Sequence, residues 1–186
     1  MDPLVPALVA VLLAGGCDRP PLLVAILSDR SGRGAVWGAI VAQAIGFVLA
    51  AIGGTVVAPY LTPNARNLLL AFALLSAGGA TLFAATIKDR LDRWHLPPVL
   101  TGLLGVGILA LGDRSQFLLF ALIARTPDPV PGVIGATLAA ATLTLAAATL
   151  GERGWRALPF RLLRPAIGAL LLLTGAILGL GALRLL

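Results

Sequence analysis

Long apolar runs separated by short polar breaks organise this chain. Six runs stand out, at roughly 4–28, 35–58, 67–87, 98–124, 132–150 and 162–184. A bilayer-spanning helix needs ~20 predominantly apolar residues, so each run predicts one transmembrane helix. The breaks carry turn chemistry: Ser28 to Gly34 is polar and glycine-rich, Pro59 to Asn64 is a Pro/Asn loop, and Lys88 to Pro98 is charged. Thr126 to Pro131 is a proline-rich turn, and Gly151 to Pro159 is a basic one.

Two acidic positions interrupt this pattern from inside the runs. Asp18 lies in Gly16-Cys17-Asp18-Arg19, and Asp113 in Leu111-Gly112-Asp113-Arg114-Ser115-Gln116. An Asp at the centre of an inserted helix costs on the order of 3 kcal/mol, which makes both candidates for a functional site. They are 95 residues apart, and at the same offset Arg30 recurs as Arg125 and Arg66 as Arg161. Three spans per unit is an odd number, so the second unit must enter the membrane inverted. The expected fold is therefore an all-α polytopic membrane protein of six transmembrane helices, arranged as two inverted three-helix repeats. Residues 1–87 form the first repeat, 88–97 a charged cytoplasmic linker and 98–186 the second repeat. Gly15-Gly16 and Pro20-Pro21 predict a broken first span, and Gly112 a loosened fourth. Irregular backbone at membrane depth is tolerated where it lines a cavity.

Composition agrees with this picture. The 186 residues are 59% hydrophobic and 12% charged, with a mean hydropathy of +0.99. Soluble proteins carry about 25% charged residues, so the apolar surplus must face lipid. The net charge of +6 does not point to nucleic acid, because no soluble segment is long enough to gather a basic face. The breaks after the first, third and fifth runs hold nine of the fourteen Lys and Arg residues, against three on the other side. This bias predicts a cell inner (plasma) membrane protein with both termini on the non-cytoplasmic side. Leu13 to Cys17 resembles a lipoprotein cleavage site, but Met1-Asp2-Pro3 lacks the basic residue that a signal begins with.

One cysteine, Cys17, and one histidine, His95, leave no material for a disulfide or a Cys/His zinc site. With no nucleophile–base constellation, no enzymatic activity and no cofactor are expected. The remaining ligands are hard oxygens: Asp18, Asp113, Ser115, Gln116 and Gln43, with backbone carbonyls freed at the breaks. Asp18 and Asp113 are the candidate metal ligands. Arg19 and Arg114 are candidate site-shaping residues that hold the carboxylates ionised, or alternatively lower the cost of inserting them.

Leu111-Gly112-Asp113-Arg114-Ser115-Gln116 resembles the signature of the Gdt-type family of divalent-cation/proton exchangers, Glu-x-Gly-Asp-Lys/Arg-Thr/Ser, often followed by Gln. That family carries the motif twice, in its first and fourth spans. The resemblance implies exchange of Mn²⁺ or Ca²⁺ against protons within the lipid bilayer. The chain departs from the motif at Gly15 and Ala110, where the family has Glu, and at Cys17 and Pro20 in the first copy. Two carboxylates then remain to neutralise one divalent ion. Two alternatives stay open: a degenerate, non-transporting scaffold or accessory protein, and a small-solute exporter of related fold in which the Arg residues meet an anionic group. Nothing in the sequence sets the oligomeric state, and a homo-oligomer stays open.

The basic asymmetry predicts that a cysteine introduced at Arg93, in a Cys17→Ser background, is shielded from membrane-impermeant thiol reagents added outside intact cells. Labelling from outside would reverse the topology.

Overall fold

The computed structural model of the protein describes residues 2–83 and 96–183, without the side chain of Ser31. Eight α-helices and no strand occur among them: α1 (Leu4–Gly16), α2 (Arg19–Ser31), α3 (Arg33–Val57), α4 (Pro63–Thr81), α5 (Pro98–Ala110), α6 (Arg114–Ile123), α7 (Val130–Ala157) and α8 (Phe160–Ala182). The fold is that of a polytopic all-α membrane protein.

The first and fourth apolar runs are each split in two. The pairs α1/α2 and α5/α6 both bend by 66° at the break. Local chemistry explains where. Asp18 takes an extended conformation and caps α2, and Pro20 and Pro21 occupy its first turn, where a missing N–H costs nothing. In the second pair no proline is needed, because Gly112 has φ +76° and turns the chain into Asp113, which caps α6.

Among the described residues, α3 with its following 3₁₀ turn, α7 and α8 are long and apolar enough to cross a membrane, and each bent pair adds one span, giving up to five. The expected third span, 67–87, corresponds to α4. The described part of α4 begins with Asn64, Arg66 and Asn67, which lower its hydropathy, and its run continues into residues outside the described ones. The expected linker 88–97 also lies outside them, except for the exposed Leu96 and Pro97.

The helices pack crosswise between the two halves. Helix α3 lies along α5, and α7 lies along α1; α2 packs on α7, and α6 on α3; α4 and α8 pack on each other. Lipid tails are as apolar as leucine, so close backbone approach rather than hydrophobicity must hold such helices together. Gly38 of α3 meets the backbone of Val99 and Leu103, and Gly135 of α7 meets the backbone of Leu4. A Cβ at either position would overlap those backbones. Large apolar side chains such as Val41, Ile52, Ile134, Leu173 and Ile177 point outward, as a lipid-facing surface requires. Three small clusters of buried side chains, centred on Leu23 and Val106, on Phe47 and Leu119, and on Leu74 and Leu118, each draw on both halves.

Replacing Gly38 or Gly135 by Leu is expected to destabilise the protein by about 1–3 kcal/mol or more, because the overlap is with backbone. Thermal unfolding of the detergent-solubilised variants measures this, and Gly79→Leu, where a Cβ meets open space, serves as the neutral control.

Candidate cation site at the two helix breaks

The two breaks meet inside the protein. At each, the Asp carboxylate accepts from the N–H of the Arg that follows it, at 2.7 Å, so Asp18 caps α2 as Asp113 caps α6. The site therefore gathers the N-termini of two half-helices and the C-termini of the other two. Each Asp satisfies one of the N–H groups that a helix start leaves without an intrahelical partner.

The halves are joined by Arg114. Its Nε donates to Asp18 Oδ2 at 2.9 Å and its Nη2 to Asp18 Oδ1 at 2.7 Å, a two-pronged ion pair across the breaks. Its Nη1 donates to Thr81 Oγ1 at 3.0 Å, and the Thr81 hydroxyl donates to Ala77 O at 2.7 Å. Asp18 is 6% exposed and the Arg114 side chain 13%. The carboxyl-bearing residues Asp18 and Asp113, one from each half of the chain, line one cavity together with Arg114.

Gln43, Asp113, Ser115 and Gln116 line a cavity of ≈ 10 Å³ together with Gly15 and Ala110. That is about the room one water occupies. Gln43 Nε2 donates to Thr144 Oγ1 at 2.9 Å and to Ala39 O at 3.3 Å, which leaves its carbonyl oxygen uncommitted to either. Gln116 Oε1 accepts from the Gly112 N–H at 3.3 Å, and its amide lies over α3 where Gly46 has no side chain. Asp113, Ser115 and Gln116 thus meet Gln43 of α3 at the small cavity, Asp18 lies outside its lining, and Arg19 is exposed and makes no ion pair among the described residues. It lines a second cavity, ≈ 400 Å³, with Asp18, Asp113 and Arg114. No group of three or more His, Cys, Asp or Glu side chains able to hold a metal is found among the described residues. Carboxylate ligation here would rest on the two Asp residues, with amides, hydroxyls and carbonyls as the other oxygen donors.

Thr81 and Thr144 are fully buried partners of the site that the sequence does not single out. Threonines in apolar runs commonly bond their own helix carbonyls, as Thr142 and Thr174 do, so residue type alone marks none of them.

Removing the guanidinium as Arg114→Leu leaves a buried carboxylate unpaired and is expected to cost about 3–5 kcal/mol. The double variant Asp18→Asn/Arg114→Leu should recover part of that loss. Thermal unfolding of the two single variants and the double variant measures the coupling, and additive effects would show that the pair does not interact.

No curated protein and no solved structure matches the chain. Residues 98–184, from α5 into the end of the chain, match the family described as "Divalent cation/proton antiporter GDT1". The matched segment contains Asp113, Arg114, Ser115 and Gln116. The match spans 87 of the 186 residues, and over this segment the chain is similar to that family.

Proposed function

We propose that the chain exchanges a divalent cation, Mn²⁺ or Ca²⁺, against protons at the paired breaks, with Asp18 and Asp113 as its ligands. The observation that carries this reading is the meeting of the two breaks, where Asp18 and Asp113, one from each half of the chain, line one cavity. Proton and cation would compete for the same pair: a carboxyl that has taken up a proton must release it before a divalent cation can hold both aspartates. Ser115, Gln43 and Gln116 are within the lining and would add neutral oxygens, toward the six to eight or so that Ca²⁺ prefers.

Arg114 occupies the place of a cation on Asp18. Its guanidinium neutralises that carboxylate in the empty site and must release it for a metal to bind. The counterpart Arg19 makes no such bond to Asp113 among the described residues. Two inverted three-helix repeats, 1–87 and 98–186, in unlike local states would account for this asymmetry, and exchange of those states is how inverted repeats alternate access. The crosswise packing of α3 on α5 and of α7 on α1 supports the repeat assignment.

Gly15 and Ala110 line the small cavity at the positions where the family carries Glu. Their loss removes two charges from the ligand set. The chain should therefore bind divalent cations weakly, and the double variant Gly15→Glu/Ala110→Glu should bind them more tightly. A Cβ at Gly15 would sit 3.1 Å from the end of the Leu143 side chain, which must shift slightly.

The test is divalent-cation binding to the purified protein at two pH values. Binding should weaken as pH falls, because protons then hold the carboxyl pair, and it should be lost in Asp18→Asn and Asp113→Asn. If the folded Gly15→Glu/Ala110→Glu protein gains no affinity for Mn²⁺ or Ca²⁺, the exchange reading is wrong for this chain. A scaffold or solute-exporter role would then replace it.

A further inference from the structure

A cavity of ≈ 710 Å³ opens between the start of α2 and the turn joining α7 to α8. Cys17 and Asp18 lie along it, and three arginines, Arg156, Arg161 and Arg164, form its wall. Its one carboxylate, Asp18, is already held by both prongs of Arg114. Arg156 pairs with Glu152 at 2.8 Å, but Arg161 and Arg164 have no carboxylate partner among the described residues. Arg164 lies 5.3 Å over the Phe160 ring, and its Nε is buried with no hydrogen-bond partner among the described residues. Buried donors without an acceptor are rare and call for a ligand or water to complete them. The cavity mouth also faces the N-terminus of α8, where the helix dipole favours an anion. A vestibule of net positive charge beside a cation site would repel the cation unless something neutralised it.

We propose that this vestibule binds a phosphate-type oxyanion, gripped by Arg161 and Arg164. A guanidinium presents a planar fork of donors that matches phosphate oxygens two at a time. The adjoining Trp155, Leu158 and Leu162 give the cavity an apolar side next to its charged one, as a lipid headgroup with its acyl chain would require. Free phosphate offers the same oxyanion. In either form the anion completes the orphaned Arg164 donor and removes the positive barrier in front of Asp18. The anion cavity shares Asp18 with the proposed exchange site, but Asp113 and the lining of the small cavity lie outside it.

The experiment uses the purified full chain in detergent and in phosphatidylcholine vesicles with or without phosphatidylglycerol. Inorganic phosphate, titrated against chloride at matched ionic strength, should raise the unfolding temperature saturably, or phosphatidylglycerol should do so. Arg161→Gln/Arg164→Gln should weaken the response roughly tenfold or more. Arg161→Lys/Arg164→Lys, which keeps the charge but loses the fork, should fall between and guards against misfolding. A response to phosphatidylglycerol alone assigns the lipid headgroup, and a response to both assigns the oxyanion in general. Asp113→Asn, which lies outside this cavity, should keep the anion response even where it abolishes cation binding, so the two sites fail separately. An equal effect of chloride, an unchanged response in both arginine variants, or loss of the response in folded Asp113→Asn would overturn the proposal.

Discussion

The bond on which this structure turns is the pair of hydrogen bonds from Arg114 to Asp18, at 2.7 and 2.9 Å. Each residue on its own would be an expensive charge inside an apolar span. Together they neutralise one another, and because one comes from each half of the chain, the cheapest arrangement forces the two breaks into contact. The rest of the site follows. With α2 and α6 starting at the same place, their capping carboxyls meet, and the ends of α1 and α5 bring Gly15 and Ala110 to the same small cavity.

The breaks themselves are a compromise between helix and loop. A continuous helix would bury Asp18 and Asp113 on lipid-facing or packed surfaces and leave them nothing to bind. Ending α1 and α5 at mid-run lets each Asp act as an N-cap, which satisfies backbone donors that hydrocarbon could not. The same step exposes carbonyl ends and makes the room in which oxygens from Ser115, Gln43 and Gln116 gather. The 66° bend in both pairs is the geometric result of two different local solutions. Proline at the start of α2 makes one, and positive-φ Gly112 makes the other.

Charge balance separates this chain from a site built of four carboxylates. With Gly15 and Ala110 in place of acidic side chains, the two aspartates face Arg114 directly, and the arginines of the large cavity stand behind Asp18. A divalent cation entering here would meet a field less negative than the family motif would set up. The guanidinium on Asp18 is the group it would have to displace, and the oxyanion proposed for the vestibule is what would ease its approach.

Much of this was legible in the order of residues. The apolar runs and their polar breaks give the helices, because the membrane leaves the backbone no alternative; two Asp-Arg turns at one offset mark the site, because charge does not persist in hydrocarbon without a reason. The split of the first run was visible in Gly15-Gly16 and Pro20-Pro21, and that of the fourth in Gly112. What the sequence could not decide is which charge answers which. Asp18-Arg19 and Asp113-Arg114 look equivalent in one dimension, yet Arg114 crosses to Asp18 while Arg19 stays exposed. Thr81, Thr144 and Arg164 gain their roles only from what the packing of α4, α7 and α8 places beside them. Local chemistry sets where a helix breaks and what it can offer there. The partner that accepts the offer lies about a hundred residues away, and only the crossing of the two halves selects it.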